Sequence, residues 1–391
     1  MLVFLLSGVF CLNNGLALTP PMGWMAWEQF KCETDCQNKP KDCISEDLFI
    51  DMIDRIAEDG WLEAGYEYVN IDDCWMGKGR DVNGELYPDQ SRFPHNITWL
   101  SRYAHSRGVK LGIYNDFGTL TCGGYTGSEG YLRIDAETFA KWEVDMLKMD
   151  GCYSELLNQR DGYPAMSYFL NRTGRPIMYS CSWPAYDSEM DYSPLPEFCN
   201  LWRNYGDITS TWPVVLAVIN KWGNTPEWAK YAGPGHWNDP DQLMIGLKGG
   251  KITQIEAETQ MAIWSIVAAP LIMSNDLREI EDWAKEILQN KEVIAVDQDV
   301  LGIQGFRLTD KDEDKQIWYR QLSNDNWAVA LFNRGESPVD ITVAFKDFQN
   351  KASSFKLRDL YQKKDLGTFQ DTYTGSKIPA HGVVFLRLSP P

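Results

Sequence analysis

Asp72, Asp73, Asp116, Asp150, Asp207 and Asp239 all stand at or near the ends of apolar runs in the N-terminal part of the chain. Carboxylates that converge on one bond are what glycoside hydrolysis requires, one to attack or activate water and one to protonate the leaving oxygen. Within VDMLKMDGC, Lys148 and Asp150 are two residues apart. Strand alternation puts both on one face, and a buried carboxylate beside a lysine stays ionised, as a nucleophile must. For an isolated K-x-D, the reading as a structural ion pair would win. By residue type Asp72-Asp73 could hold a metal, yet neighbouring strand residues point to opposite faces. Both reach one site only if the strand ends there, and hydrogen bonds to sugar hydroxyls account for them without a cofactor. Asp207 ends another run, after Arg203. His95, His105, His236 and His381 are too scattered for a triad or a zinc site, and no glycine-rich phosphate loop is present.

Eight elements must hold these groups. GWMAW, YEYVNIDD, VKLGIYND, VDMLKMD, RPIMYSCSW, NLWRNYGD, YAGPGHWND and APLIMSND recur with room for a helix between each pair. Eight such strands can close into a (β/α)8 barrel, whose active site gathers at the strands' C-terminal ends. Ser45 is a candidate N-cap for a helix carrying Phe49, Met52, Ile53 and Ile56, with Gly60 able to end it. Further helices are predicted through Ile97–Ala104, from about Asp135, over Thr253–Val267 and over 281–290. After residue 303 the pattern changes to short alternating runs, QIWYRQL, WAVALFN, VDITVAF, SSFKLRDL and GVVFLRL. These predict antiparallel strands in a C-terminal β-sandwich, packed on the barrel because no long linker intervenes. The expected organisation is a leader over 1–11, a barrel over 12–302 and a sandwich over 303–391.

The chain has 391 residues and a net charge of −18. That charge argues against nucleic acid, since nothing neutralises phosphate, and it suits work at acidic pH, where protonation relieves the repulsion. MLVFLLSGVFC is apolar but too short to span a bilayer. It reads as the core of a secretory signal with its beginning missing; the alternative is a buried N-terminal strand. Nine cysteines occur, none after residue 199. Setting aside Cys11 leaves an even set, as disulfides in a secreted chain require. Zinc at Cys32-x3-Cys36 would need a Cys/His partner set that is not apparent. Asn96-Ile-Thr and Asn171-Arg-Thr are glycosylation sequons.

TPPMGWMAWEQF, YVNIDDCWM, KLGIYNDFG, MLKMDGC, SCSWPAY, LWRNYGDI and AGPGHWNDPDQL together resemble glycoside hydrolase family 27, of glycosidase clan D, from Leu12 to beyond Gly305 and more weakly after it. The family holds retaining α-galactosidases and α-N-acetylgalactosaminidases. The resemblance implies Asp150 as the nucleophile and Asp207 as the acid/base. It implies Asp72 and Asp73 as ligands of the O4 and O6 hydroxyls, Lys148 as an O3/O4 contact, and Trp27, Tyr114, Cys152 and Tyr186 as pocket residues. Arg203 would lie near the 2-substituent and the acid/base. It also implies the pairs Cys32–Cys74, Cys36–Cys43, Cys122–Cys152 and Cys181–Cys199, and no cofactor or metal. For the acid/base, a negative neighbour is expected to raise the pKa, while Lys148 holds that of Asp150 down.

Specificity in the family rests on the loop after the fifth strand. The α-galactosidase pattern C-E-W-P-L-Y fills the space beside the sugar's 2-position. Here Cys181-Ser-Trp-Pro-Ala-Tyr186 is the smaller pattern, in which Ser182 can hydrogen-bond an acetamido group and Ala185 can touch its methyl. The resemblance therefore implies hydrolysis of terminal α-linked N-acetylgalactosamine, with α-galactose also admitted. A strict α-galactosidase and an inactive sugar-binding relative are the alternatives. A glycan substrate, a homodimer and residence in the lysosome or outside the cell follow as expectations. The family's N-F-G-L-S after strand seven is replaced by GLKGGKI, and Thr119 stands where an acceptor asparagine is usual.

Overall fold

The structure is a computed structural model that describes residues 14–187, 189–308, 314–348 and 353–391. The apolar segment 1–11 that is read above as a leader, with Cys11, lies outside these residues.

Eight short parallel strands form the first sheet: β1 (Met22–Met25), β2 (Tyr68–Asn70), β3 (Lys110–Asp116), β4 (Met146–Asp150), β5 (Met178–Cys181), β6 (Leu201–Arg203), β7 (Trp237–Asp239) and β8 (Leu271–Met273). Each strand follows its predecessor in the sheet, and β1 pairs with β8. The seam between β7 and β8 is closed by Leu243, whose N–H donates to Ile272 O at 2.8 Å. The result is a (β/α)8 barrel with its core filled by side chains, as the fold requires. Nearly every strand residue is buried, which explains why the runs read as continuous apolar segments.

The crossover helices start where local chemistry predicts. Ser45 caps Glu46–Glu58 by accepting from Leu48 N, and Thr253 forms a reciprocal capping box with Glu256 at the head of Gln254–Ile266. Asn96–Ser106, Leu132–Lys141 and Asp282–Leu288 occupy the other predicted positions. Among the described residues between β5 and β6 there are two single-turn helices, Trp183–Tyr186 and Leu195–Phe198. Cys181–Cys199 ties the two ends of that excursion.

Among the described residues eight further strands follow: β9 (Phe306–Arg307), β10 (Lys315–Gln321), β11 (Trp327–Asn333), β12 (Val339–Ala344), β13 (Ser354–Asp359), β14 (Lys364–Gln370), β15 (Thr372–Ile378) and β16 (Val383–Ser389). Six make one antiparallel sheet in the order β14-β13-β16-β11-β10-β9, and β12 pairs with β15 as the second layer. Strand alternation divides the larger sheet. Ile317, Tyr319, Val329 and Leu331 join the core between the layers, whereas Trp318, Ala328, Ala330 and Phe332 join the barrel's core. The sandwich is thus welded to the barrel through a sheet buried on both faces. Arg320 donates to Ser265 O and Asp297 O across this boundary, at 2.8 and 3.0 Å. The strands β14 and β15 had no counterpart in the alternation pattern. KDLGTFQ and TYTGSKI are mostly polar and mostly exposed, so the two-residue period is muted.

Four disulfides join Cys32 to Cys74, Cys36 to Cys43, Cys122 to Cys152 and Cys181 to Cys199. They are the pairs that the resemblance implies. With Cys32 and Cys36 both so bonded, the zinc alternative has no thiolate left. Two of the bridges, Cys32–Cys74 and Cys122–Cys152, each join loops that follow neighbouring strands on the barrel's C-terminal rim. Among the described residues no helix is long and apolar enough to cross a membrane.

Candidate active site

The C-terminal ends of β2 to β7 bring the acidic residues together. Asp150 is the last residue of β4. Tyr186 Oη donates to its Oδ1 at 2.7 Å and Gly151 N at 3.0 Å, while Tyr114 Oη donates to Oδ2 at 3.1 Å. An anionic oxygen held by fixed donors on a rigid strand end is oriented for attack. Gly151 is required by this packing: a Cβ there would come within 2.8 Å of the Tyr186 ring.

Lys148 lies on the same strand face, but its partner differs from the sequence expectation. Its Nζ contacts Asp72 Oδ2 at 2.7 Å. It reaches Asp150 only through the field, and the Asp72 and Asp150 charges outweigh burial to hold its ammonium above the ordinary lysine range. β2 ends at Asn70, so Asp72 and Asp73 occupy the following loop, free of strand alternation. Asp72 Oδ1 accepts from Asp73 N at 2.8 Å. Asp73 is anchored to the 121–123 turn: Thr121 Oγ1 and Gly123 N donate to it at 2.8 and 2.6 Å. Burial raises the carboxyl pKa of both residues.

Asp207 follows β6 in the chain. It does not end a strand, because β6 stops at Arg203. It sits in the loop beyond, with its side chain 78 % exposed. Arg203 Nη2 lies 3.2 Å from Asp207 Oδ1 and 3.0 Å from Asp241 Oδ2. Partial burial raises the Asp207 pKa, but the Arg203 and Lys148 charges and the Arg203 hydrogen bond together outweigh it and hold the carboxyl below the usual range. The expectation that a negative neighbour raises this pKa is therefore reversed, because an arginine four residues back is nearer than the other carboxylates.

Sequence reasoning left Asp241 unassigned, although it lies in the quoted GHWNDPDQL. Its Oδ2 accepts from Ile208 N at 2.9 Å as well as from Arg203, so it clamps both neighbours of Asp207. Burial pushes the Asp239 carboxyl up to about 6.

The remaining predicted residues also converge on the rim. Ser182 is buried at the end of β5 and donates its N–H to Met149 O at 2.9 Å. Ala185 is half-buried in the single turn Trp183–Tyr186. Cys152 Sγ is 3.3 Å from Tyr186 Oη. Trp27 opens the short helix after β1 and lies under the Lys31 ammonium at 5.5 Å. The replaced segment 246–252 borders a cavity of about 440 Å³, lined by Ser210, Lys248, Asp276, Glu279 and Trp283. Asn96 and Asn171 are both exposed.

Residues 19–299 match a family model described as alpha galactosidase A, and residues 312–388 match the alpha galactosidase C-terminal beta sandwich domain. The chain belongs to glycoside hydrolase family 27. It is 48% identical over 389 residues to the alpha-N-acetylgalactosaminidase of Gallus gallus, covering 97% of this chain and 95% of that protein. To the Homo sapiens alpha-N-acetylgalactosaminidase it is 51% identical, covering 83% and 80%. To Homo sapiens alpha-galactosidase A it is 47% identical, covering 98% and 91%. Among solved structures it is similar to alpha-galactosidase I from Mortierella vinacea, with a TM-score of 0.87, 36% identity and coverage of 96% and 98%. This family 27 chain is a glycoside hydrolase.

Proposed function

We propose that the protein is a retaining exo-glycosidase that removes terminal α-linked N-acetylgalactosamine, and also α-galactose, from glycolipids, glycoproteins and oligosaccharides. Asp150 attacks the anomeric carbon while Asp207 protonates the leaving oxygen; Asp207, now ionised, then deprotonates the water that cleaves the ester. Asp72, Asp73 and Lys148 hold the sugar's hydroxyls, with Trp27, Tyr114, Cys152 and Tyr186 around the ring. Arg203 lies between the 2-substituent and Asp207. The observation that carries the choice of sugar is the loop after β5. Ser182 caps and Ala185 lies within the turn that delivers Tyr186 to Asp150, and their side chains are smaller than the Glu and Leu of the α-galactosidase pattern, which is what an acetamido group at the 2-position requires. Initial rates on nitrophenyl α-N-acetylgalactosaminide and nitrophenyl α-galactoside test this. A kcat/KM ratio favouring the acetamido sugar is expected, and a ratio favouring galactose would make the protein an α-galactosidase.

The acid must be protonated for the first step, and kcat/KM reports the free enzyme. Since Arg203 holds the Asp207 carboxyl low, its protonated fraction falls on the acid side of neutrality. We expect kcat/KM to decline as pH rises through that range. An optimum at or above neutrality would speak against Asp207 as the acid.

The leader, the four disulfides and the exposed Asn96 and Asn171 support passage through the secretory pathway, glycosylation, and residence in the lysosome or outside the cell. A homodimer belongs to the same reading.

A further inference from the structure

Asp116, the last residue of β3, has no part in the scheme above. Its side chain is fully buried, 0 % exposed. Its Oδ2 lies 3.1 Å from Tyr114 Oη and 3.3 Å from Cys122 Sγ, and its Oδ1 accepts from Gly118 N at 3.4 Å. Tyr114 Oη also lies 3.1 Å from Asp150 Oδ2. One phenol thus faces two carboxylates, and a phenol has a single proton. If both carboxylates are ionised, one of them sets an anionic oxygen against the phenol's lone pairs. Cys122 cannot supply the missing hydrogen, because its sulfur is bonded to Cys152. The cluster is short of one proton.

We propose that Asp116 carries that proton at the enzyme's working pH and donates it to Tyr114 Oη, so that the Tyr114 proton is directed to Asp150. Asp116 is then a positioning residue that acts on the nucleophile through Tyr114, an inference that rests on Asp150 being the nucleophile. The surroundings favour the neutral form. Asp116 is faced by Asp150 from β4, Asp73 from the loop after β2, and the tyrosines Tyr114, Tyr163 and Tyr186. None of these is cationic, and among the described residues Asp116 makes no ion pair. Burial and then the Asp150 charge push its carboxyl up to about 8. Burial likewise keeps the Tyr114 phenol protonated. Below this range Asp116 is neutral and Tyr114 serves Asp150. Above it Asp116 ionises and competes for the same phenol proton.

The test uses a dinitrophenyl α-galactoside, whose leaving group departs without a proton, so that the alkaline limb no longer reports Asp207. Wild-type kcat/KM should fall above a pH of about 8. Asp116→Ala should lose on the order of 10- to 100-fold, the worth of a hydrogen bond to a charged group. Asp116→Asn should restore most of that loss, because its amide N–H can replace the carboxyl proton while its oxygen keeps Gly118 N. The Asn profile should also lack the alkaline limb. An infrared difference spectrum between wild type and Asp116→Asn at acidic pH should show a protonated-carboxyl band that shifts in heavy water. Absence of that band together with a flat wild-type profile overturns the proposal, as does an Asn variant as impaired as Ala. Should Ala fail to fold, the Asn variant and the infrared band decide alone. Normal turnover of this substrate by Asp150→Asn would remove the nucleophile assignment instead, leaving the infrared result to report on Asp116 by itself.

Discussion

Asp150→Asn is expected to reduce turnover by about 10⁴- to 10⁶-fold, the scale seen when another hydrolase loses a residue of its covalent machinery. An amide has nearly the volume of the carboxylate, so the packing against Tyr114, Tyr186 and Gly151 survives. It cannot form the glycosyl ester. The loss should therefore fall on chemistry, with the thermal unfolding midpoint close to that of wild type. For the wild-type enzyme, NMR of the earliest product should show the α-anomer, since two displacements restore the starting configuration. If the β-anomer came first, the reaction would be a single displacement and Asp150 would be the base for water.

The second large effect is on the choice of sugar. Ser182→Glu combined with Ala185→Leu should lower kcat/KM for the α-N-acetylgalactosaminide far more than for the α-galactoside, by about 10²-fold or more in relative terms. Ser182 is buried and the Trp183–Tyr186 turn is pinned by Ala185 N to Ser182 O at 3.0 Å. Larger side chains there cannot easily swing aside, so they occupy the acetamido space and leave its polar atoms unpaired. Glutamate also offers the free 2-hydroxyl of galactose an acceptor that serine is too short to provide. Asp150, Asp207 and Arg203 are untouched. The paired nitrophenyl substrates measure the change. A double variant that kept its preference for the acetamido sugar would show that this loop is not the selector.

Strand-end carboxylates and apolar runs in the chain were enough to indicate a barrel with an acidic mouth, because a buried parallel strand must be apolar throughout and its C-terminal end is where polar groups can emerge. Ser45 announced its helix for an equally local reason: a cap bonds to backbone three residues away. The disulfide pairing and the roles assigned to individual aspartates came from resemblance to a family, not from spacing. β14 and β15 escaped the alternation pattern because exposed strands carry polar residues on both faces.

Partnership across strands was decided only by the closed barrel. The two-residue spacing placed Lys148 and Asp150 on one face, but whether the ammonium meets Asp150 or Asp72 depends on where the loop after β2 returns. Asp207 looked like a strand end, yet it projects from a loop and takes its charge environment from Arg203. Asp241 clamps that loop from thirty-odd residues away, at 2.9 Å from Ile208 N. Tyr114 Oη meets both Asp116 and Asp150 because β3 and β4 run side by side in register, Asp116 opposite Asp150. Residue type and periodicity determine which face a side chain takes and what it can donate or accept. Its partner, and hence its protonation state, is set by distances between loops of different strands, which exist only once the barrel has closed.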